Sequence, residues 1–424
     1  MDTLFACLKQ GTSPESVVDF AKKYLEKEGF EELYYDKLFF PKTGGKYYIA
    51  PFPDVFFAFT MGKKRAFIQP VRMAFAHGNP PCFTITGKPE RTSVDSSLLH
   101  VEVDGDRADC RWFDRPLGIS GTVILKGERA FSPESRRYDS QRPLVVIPGR
   151  AIRGQEEQNE QKNDRWEKAG SKELVPVAGL AGSAWTEGAF LEFLAGELDV
   201  DDSEILSYTL HLYNADAPCL VGLSQEMISS PRLGDLAAVS ALLEALVEGE
   251  RSNGMNLMGI FPGEAAESAC GSGADSPLLA DLLRGIFTAM DCSEQMFRAS
   301  MNISNYLSVE GISGARPNDP ADEERATRAC VGKGPAMQGS RIGYVADPRM
   351  QGVLCGLAEK YDLPLQVIHD RKAMTKASAM IGKRLPVRGG ALGVPMWALH
   401  SARETMALED YESLCQILTA FFVD

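Results

Sequence analysis

The chain is poor in the residues and patterns that usually announce a chemistry. It has only 5 histidines in 424 residues. It contains no H-E-x-x-H pair, no Walker loop, no G-x-S-x-G and no G-x-G-x-x-G, which excludes a helix-borne zinc pair, a P-loop, a nucleophile elbow and a dinucleotide fingerprint. Its 9 cysteines are scattered, odd in number and never arranged C-x-x-C. They fit free thiols in a reducing cytoplasm better than a disulfide frame or a zinc ribbon. No basic block offsets a net charge of −13, from 45 basic and 58 acidic residues, and such a surface repels phosphate backbones, so nucleic acid is not an expected partner. No apolar run approaches the roughly 18 residues that span a bilayer. The opening MDTLFACLKQ lacks a basic segment followed by a long apolar one, so no secretory signal or membrane partner is expected.

What remains is globular. Hydrophobic residues make up 44% and charged residues 24%, and the length implies two domains or three. An amphipathic helix with Ser13 as cap and Pro14 in its first turn buries Val17, Val18, Phe20, Ala21, Tyr24 and Leu25 and ends at Gly29. From about residue 33, aromatic and β-branched runs broken by Gly and Pro predict strands to about residue 148, the first being ELYYDKLFFPK. Residues 153–173 are almost wholly polar and predict a solvated loop. Beyond TLHLYN (209–214), helical periods at 235–248, 277–290, 349–361 and 401–421 alternate with strand-like MNLMGIF, RIGYVA, PLQVIH and ALGVPMWAL. This is an α/β pattern with a helix-flanked mixed sheet. The expected organisation is a discontinuous α/β domain, 1–88 with 213–424, interrupted by a β-rich domain at 89–212.

Two histidines stand apart. His77 and His400 each end an apolar strand-like run and lead into turn or polar residues, and sheet ends are where α/β enzymes place their chemistry. Glu264 follows the run MGIFPG, where a general base is well placed. GSGADSP (271–277) predicts a turn into a helix, with Ser276 as cap and Pro277 at its first position.

Five ordered segments carry a resemblance: MAFAHGNPPCFTITGKPE (73–90), CRWFDRPLGISGTV (110–123), ISSPRLGDLAAV (228–239), FPGEAAESACGSGADSP (261–277) and GVPMWALHSARE (393–404). Together they resemble the aspartyl aminopeptidase family, relatives of vacuolar aminopeptidase I. The resemblance implies a two-zinc exopeptidase fold with an inserted β-rich dimerisation domain, and commonly a dodecamer built from dimers. It places metal-ligand positions on His77 and His400, which are kept. The metal-bridging aspartate falls on Gly234, the glutamate ligand on Ala265, and the aspartate of an S-A-D segment on Asn302. The general-base glutamate falls on Glu264 and the aspartate of H-x-D on Asn79. A histidine that reaches a neighbouring subunit falls on Arg153. A lysine of a G-P-x-x-K segment, read as the contact to an acidic substrate side chain, falls on Gln338.

On that placement three carboxylates are missing from a cage that must hold four positive charges. A zinc ion normally keeps three or four protein ligands, and without the metal its water stays protonated at neutral pH. The expected protein is therefore an oligomeric cytoplasmic scaffold with no cofactor and little or no peptidase activity, binding peptides or acting through assembly. The rival is an active metalloaminopeptidase with zinc on non-standard ligands such as Asp235 or Glu267. A third reading is a structural protein with a filled cleft.

Overall fold

The computed structural model describes residues 1–64, 66, 68–78, 83–103, 108–149, 174–180, 185–262, 273–319, 327–339, 347–369, 381 and 384–424. The chain divides into two compact units: Met1–Pro80, Pro218–Leu399 and Glu404–Asp424 form the first, and Pro81–Ala217 with His400–Arg403 form the second. The boundaries set from sequence at 88 and 213 fall inside strands of the second unit.

The described helices are α1 (Asp2–Gln10), α2 (Pro14–Lys27), α3 (Ala189–Leu198), α4 (Leu233–Glu248), α5 (Leu278–Ala289), α6 (Glu294–Asn302), α7 (Pro348–Tyr361) and α8 (Leu408–Val423). The strands of the first unit are β1 (Glu31–Leu33), β2 (Lys46–Phe52), β3 (Val55–Met61) and β4 (Val71–His77) before the second unit. Those of the second are β5 (Phe83–Thr92), β6 (Ser96–Val103), β7 (Pro116–Arg129), β8 (Ser132–Asp139), β9 (Val145–Val146), β10 (Val177–Leu180) and β11 (Ile205–Asn214). The first unit resumes with β12 (Cys219–Val221), β13 (Met227–Ser230), β14 (Met255–Phe261), β15 (Asn305–Ser313), β16 (Ala336–Gln338), β17 (Gln366–Ile368), β18 (Arg388–Trp397) and β19 (Glu404–Ala407).

The first unit is one 12-stranded sheet, ordered β1-β2-β3-β14-β4-β15-β18-β19-β13-β12, with β16 and β17 branching from β18. Its centre, β14-β4-β15-β18, is parallel throughout. Parallel strands must be covered on both faces, and their sequences comply. On β4, Ala74 and Ala76 enter one core, while Val71, Met73 and Phe75 enter the other. The first face is closed by α4, whose run LGDLAAVSALLEALVE is buried almost all round, with α1, α2, α7 and α8 outside it. The second is closed by α5 and by Phe297 and Met301 of α6. Each fully buried large apolar side chain contributes about 1.5–3 kcal/mol, so α4, with Leu233, Leu236, Leu242, Leu243 and Leu246 all inaccessible, is the keystone of the layer.

Local signals are mostly obeyed. Ser13 caps α2 reciprocally with Ser16: the Ser16 N–H donates to Ser13 Oγ at 3.3 Å, and the Ser13 N–H to Ser16 Oγ at 2.8 Å. Gly29, φ +80, follows its end. Three expectations fail. The aromatic ELYYDKLFFPK is a strand only at its first two residues, and Tyr34, Leu38 and Phe40 are exposed. Ser276 does not cap α5, which begins after Pro277 without a side-chain cap. The last helix starts at Leu408 because Glu404–Ala407 pairs with β13 and β18. Helices α1 and α6 carried no sequence signal that was read.

Asp410, in the first turn of α8, is wholly buried and accepts the N–H groups of Gly332 at 2.7 Å and Gly334 at 2.6 Å. Burial pushes its carboxyl above the usual aspartate value, and the two N–H donors pull the other way. Both glycines have positive φ, +79 and +87, so this clamp fixes the turn that leads into β16.

The second unit is a seven-stranded sheet, β11-β5-β6-β10-β9-β7-β8, with β11 also pairing β7 and with α3 among its elements. Its core contains Phe83, Trp112, Leu117, Val123, Phe190 and Leu210, with Phe83 edge-on to Trp112 at 4.9 Å. The described cysteines are all free thiols. Among the described residues, no helix is long and apolar enough to cross a membrane.

Candidate functional site

The carboxyl ends of the central parallel strands form one edge of the large sheet, the place where α/β proteins hold ligands. His77 ends β4 there, opposite Phe261 of β14, and is 5% exposed. The next N–H, of Gly78, donates to Phe261 O at 2.7 Å and ties the two strand ends together. By alternation along β4, His77 shares the face of Met73 and Phe75.

β15 runs beside β4 in parallel, with Asn305 opposite Arg72 and Ser308 opposite Phe75. Two residues further along, on the same face, stand His77 on β4 and Glu310 on β15. Glu310 is 4% exposed. Asn302 is elsewhere: it is the last residue of α6, exposed, and precedes the amino end of β15. Five strand residues, about 17 Å, separate Asn305 from Glu310. Asn302 therefore stands beyond the end of β15 that is far from His77. Ser308-Val309-Glu310 brings a carboxylate to the level of His77.

The opposite face of the same edge carries Gly234. The chain turns through Arg232, φ +57, and enters α4 at Leu233. The N–H of Gly234 donates to Glu404 Oε2 at 2.8 Å, so a buried carboxylate already satisfies this helix start. A Cβ at position 234 would lie 3.1 Å from Leu399 Cδ1, 3.4 Å from Met396 Sδ and 3.7 Å from Glu404 Oε1. Gly311 faces the same place, its own Cβ position 3.1 Å from Gly234 Cα and 2.7 Å from Leu399 Cδ1. Two glycines and two apolar side chains thus stand where the resemblance puts a metal-bridging aspartate. Asp235 is one helical position away and leaves the axis about 100° round from Gly234.

His400 is exposed, has φ +62, and belongs to the second unit. The excursion it opens is fastened there by Asn214 Nδ2 donating to Ala402 O at 2.8 Å and Arg403 Nη2 donating to Ala217 O at 3.0 Å. Gln338 ends β16 and is 3% exposed, and neither its carboxamide nitrogen nor its oxygen has a hydrogen-bond partner among the described residues. Glu264, Ala265, Asn79, Glu267 and Arg153 lie outside the described residues.

One carboxylate near this edge is strongly compensated. Asp319, beyond β15, accepts the Arg316 N–H at 2.8 Å, Arg316 Nε at 2.9 Å and Arg328 Nη1 at 3.3 Å. The Arg316 backbone N–H and guanidinium hold its carboxyl below the usual aspartate value. Among the described residues, no three His, Cys, Asp or Glu side chains come together in a way that could hold a metal. Of the described ligand positions, His77 and His400 carry imidazoles and Gly234 carries no side-chain donor, while Glu264 and Ala265 lie outside the described residues.

A family model described as aminopeptidase I zinc metalloprotease (M18) matches residues 7–422. A probable M18 family aminopeptidase 2 from Clostridium novyi is 30% identical over 411 residues, 96% of this chain and 94% of that protein. The solved aminopeptidase I from Clostridium acetobutylicum superposes with a TM-score of 0.83 at 18% identity, covering 100% of this chain and 95% of that one. The S. cerevisiae mApe1 dodecamer superposes with a TM-score of 0.84 at 18% identity, covering 99% and 95%. These two establish a shared fold.

Proposed function

Because the chain belongs to the aminopeptidase I zinc metalloprotease (M18) family, we propose that it keeps the family scaffold and its cleft for binding peptides while having given up the paired-zinc cleavage reaction. The observation that carries this reading is Gly234. The family position that supplies an anion to both metals here supplies none, and Leu399 and Met396 crowd its Cβ direction. Two doubly charged ions without a shared carboxylate repel each other across a few ångströms, and removing ligands leaves each below the usual three. Glu264 then has no activated water to deprotonate.

Metal analysis of the purified full-length protein tests this, together with release of N-terminal residues from peptides. The expected result is well under one zinc per chain and no chelator-sensitive release. About two zincs per chain would sink the proposal. A restored variant, Gly234→Asp with Ala265→Glu, is expected to gain zinc, since Glu310 already stands beside His77. If it binds no more than the parent, the ligand positions are misplaced.

The second reading, an active metalloaminopeptidase with unusual ligands, draws its support from Glu310, a carboxylate retained on the face of His77. Assembly is the other part of the proposal. A solved neighbour is a dodecamer, which supports a homo-oligomeric assembly for this chain. Sedimentation of the full chain at several concentrations checks this. The free thiols suit a cytoplasmic setting.

A further inference from the structure

Helix α4 begins at the carboxyl edge of the large sheet and carries its last two turns away from it. Glu244 and Glu248 leave those turns about 15–21 Å along the axis from Gly234. There α4 and α8 pack side by side and border a cavity of about 620 Å³, which Tyr361 and Leu363 close from the end of α7. Three of its twelve lining residues are glutamates, Glu244, Glu248 and Glu412, and none is lysine, arginine or histidine. All twelve belong to the first unit.

The charges are arranged at a cost. Glu244 and Glu248 stand one turn apart on one helix face, where like charges repel. Glu248 is the last residue of α4, at the negative end of the helix dipole, and no basic residue stands in that turn. Glu244 is half-buried, and its Oε2 accepts from neutral groups, Tyr411 Oη at 3.4 Å and Cys415 Sγ at 3.5 Å. Glu248 Oε2 accepts from Thr419 Oγ1 at 3.3 Å. Among the described residues, no cationic side chain is ion-paired with any of the three glutamates. Lys360, whose ammonium lies over the Tyr361 ring at 5.1 Å, is already paired with Asp424. Burial pushes the Cys415 thiol and the Tyr24 phenol up, and the Glu244 carboxylate pushes both further. The Met1 ammonium acts on Cys415 in the opposite sense, and an excess of carboxylate remains.

Such a cavity calls for a cation, and the spread of the charge decides which kind. Among the described residues, no three His, Cys, Asp or Glu side chains come close enough to hold one metal ion, so a small dication would meet these carboxylates singly. A lysine from a partner protein brings one charge to three. Leu363, Ala420 and Val423 line the same cavity and suit methylenes. A methylene chain with an ammonium at each end meets all of these conditions.

We propose that the cavity between α4 and α8 binds a linear aliphatic diamine or polyamine, its ammonium groups on Glu244, Glu248 and Glu412 and its methylenes on Leu363, Ala420 and Val423. The ligand bridges α4 to α8. The site is separate from the carboxyl edge of the sheet and stands whether or not the chain cleaves peptides.

The test is titration calorimetry on the purified full-length protein with 1,4-diaminobutane, spermidine, butylamine and magnesium chloride, all at one ionic strength. Spermidine and the diamine are expected to bind about tenfold or more tightly than butylamine or magnesium, and to raise the urea unfolding midpoint. Glu244→Gln with Glu248→Gln keeps the shape and removes two charges. It is expected to weaken spermidine about tenfold or more and to raise the midpoint of the unliganded chain, because the repulsion within α4 is gone. Glu128→Gln with Glu294→Gln, two exposed acids outside the cavity, is expected to leave spermidine binding as in the parent. Equal binding of butylamine or magnesium, spermidine binding that survives the change at Glu244 and Glu248, a lowered midpoint in that variant, or an equal loss in the distant pair would each overturn the assignment.

Discussion

The body of the large sheet and its carboxyl edge have been held to different standards. In the body, β4, β14, β15 and β18 are buried on both faces, and α4 fills one layer with leucines that water does not reach. At the edge, a few residues further along the same strands, glycine stands at position 234 with Leu399 leaning over it, and Glu310 stands level with His77. The body is what makes the chain recognisable. The edge is where α/β proteins hold their ligands. The contrast teaches that fold and reaction are secured by separate sets of residues on the same strands.

The contrast is broken most directly in the body. Leu242→Ala, in the buried centre of α4, is expected to cost about 2–5 kcal/mol by urea unfolding, because the cavity cannot collapse between a sheet and helices. Gly234→Asp, at the edge, is expected to cost about 1–3 kcal/mol through its contact with Leu399 and the nearby Glu404 carboxylate. The helix start favours an added acid by only about 0.3–1 kcal/mol, which does not offset that. Leu399→Ala in the same chain should make the added aspartate less costly. A neutral or stabilising Gly234→Asp would mean the edge still has room for the ancestral anion. Asp319→Asn sharpens the edge electrostatics. The folded-state carboxyl of Asp319 titrates below its unfolded value, so its contribution is present above the ordinary aspartate range and is lost as pH falls through the lowered value. The gap in urea midpoint between parent and variant should therefore be open at pH 7 and close on acidification, and a gap that widens in acid would refute the assignment. The smallest effect belongs to the exposed Lys63–Glu250 pair, 2.5 Å apart, where replacing either partner should leave the midpoint unresolved from the parent.

Much of this was legible in the sequence, and the exceptions have physical causes. The helical stretch of α4 and the apolar runs of β14 and β18 are long and strongly patterned, and the domain interruption shows as a change of texture. Height along β15 is hard to read from the sequence, because α6 and β15 are separated by only Ile303 and Ser304, and Ser300-Met301-Asn302 imitates the sought motif as well as Ser308-Val309-Glu310 does. Burial in β15 is continuous and so gives no alternation from which to count strand height. The aromatic run after residue 33 misled because aromatic composition marks strands only when something covers it. Neither the crowding of Gly234 by Leu399 nor the buried amide of Gln338 has a sequence signal, since both arise between strands distant in the chain.

The clamp of Asp410 on Gly332 and Gly334 carries a longer reach than its two hydrogen bonds suggest. It hands the first turn of the C-terminal helix control over where β16 begins, and so over the position of the Gln338 amide. Linkage runs both ways: whatever steadies β16 must also slow hydrogen exchange at the start of α8, and a fusion or truncation that disturbs that helix will be felt far from the chain end, at the strand it anchors.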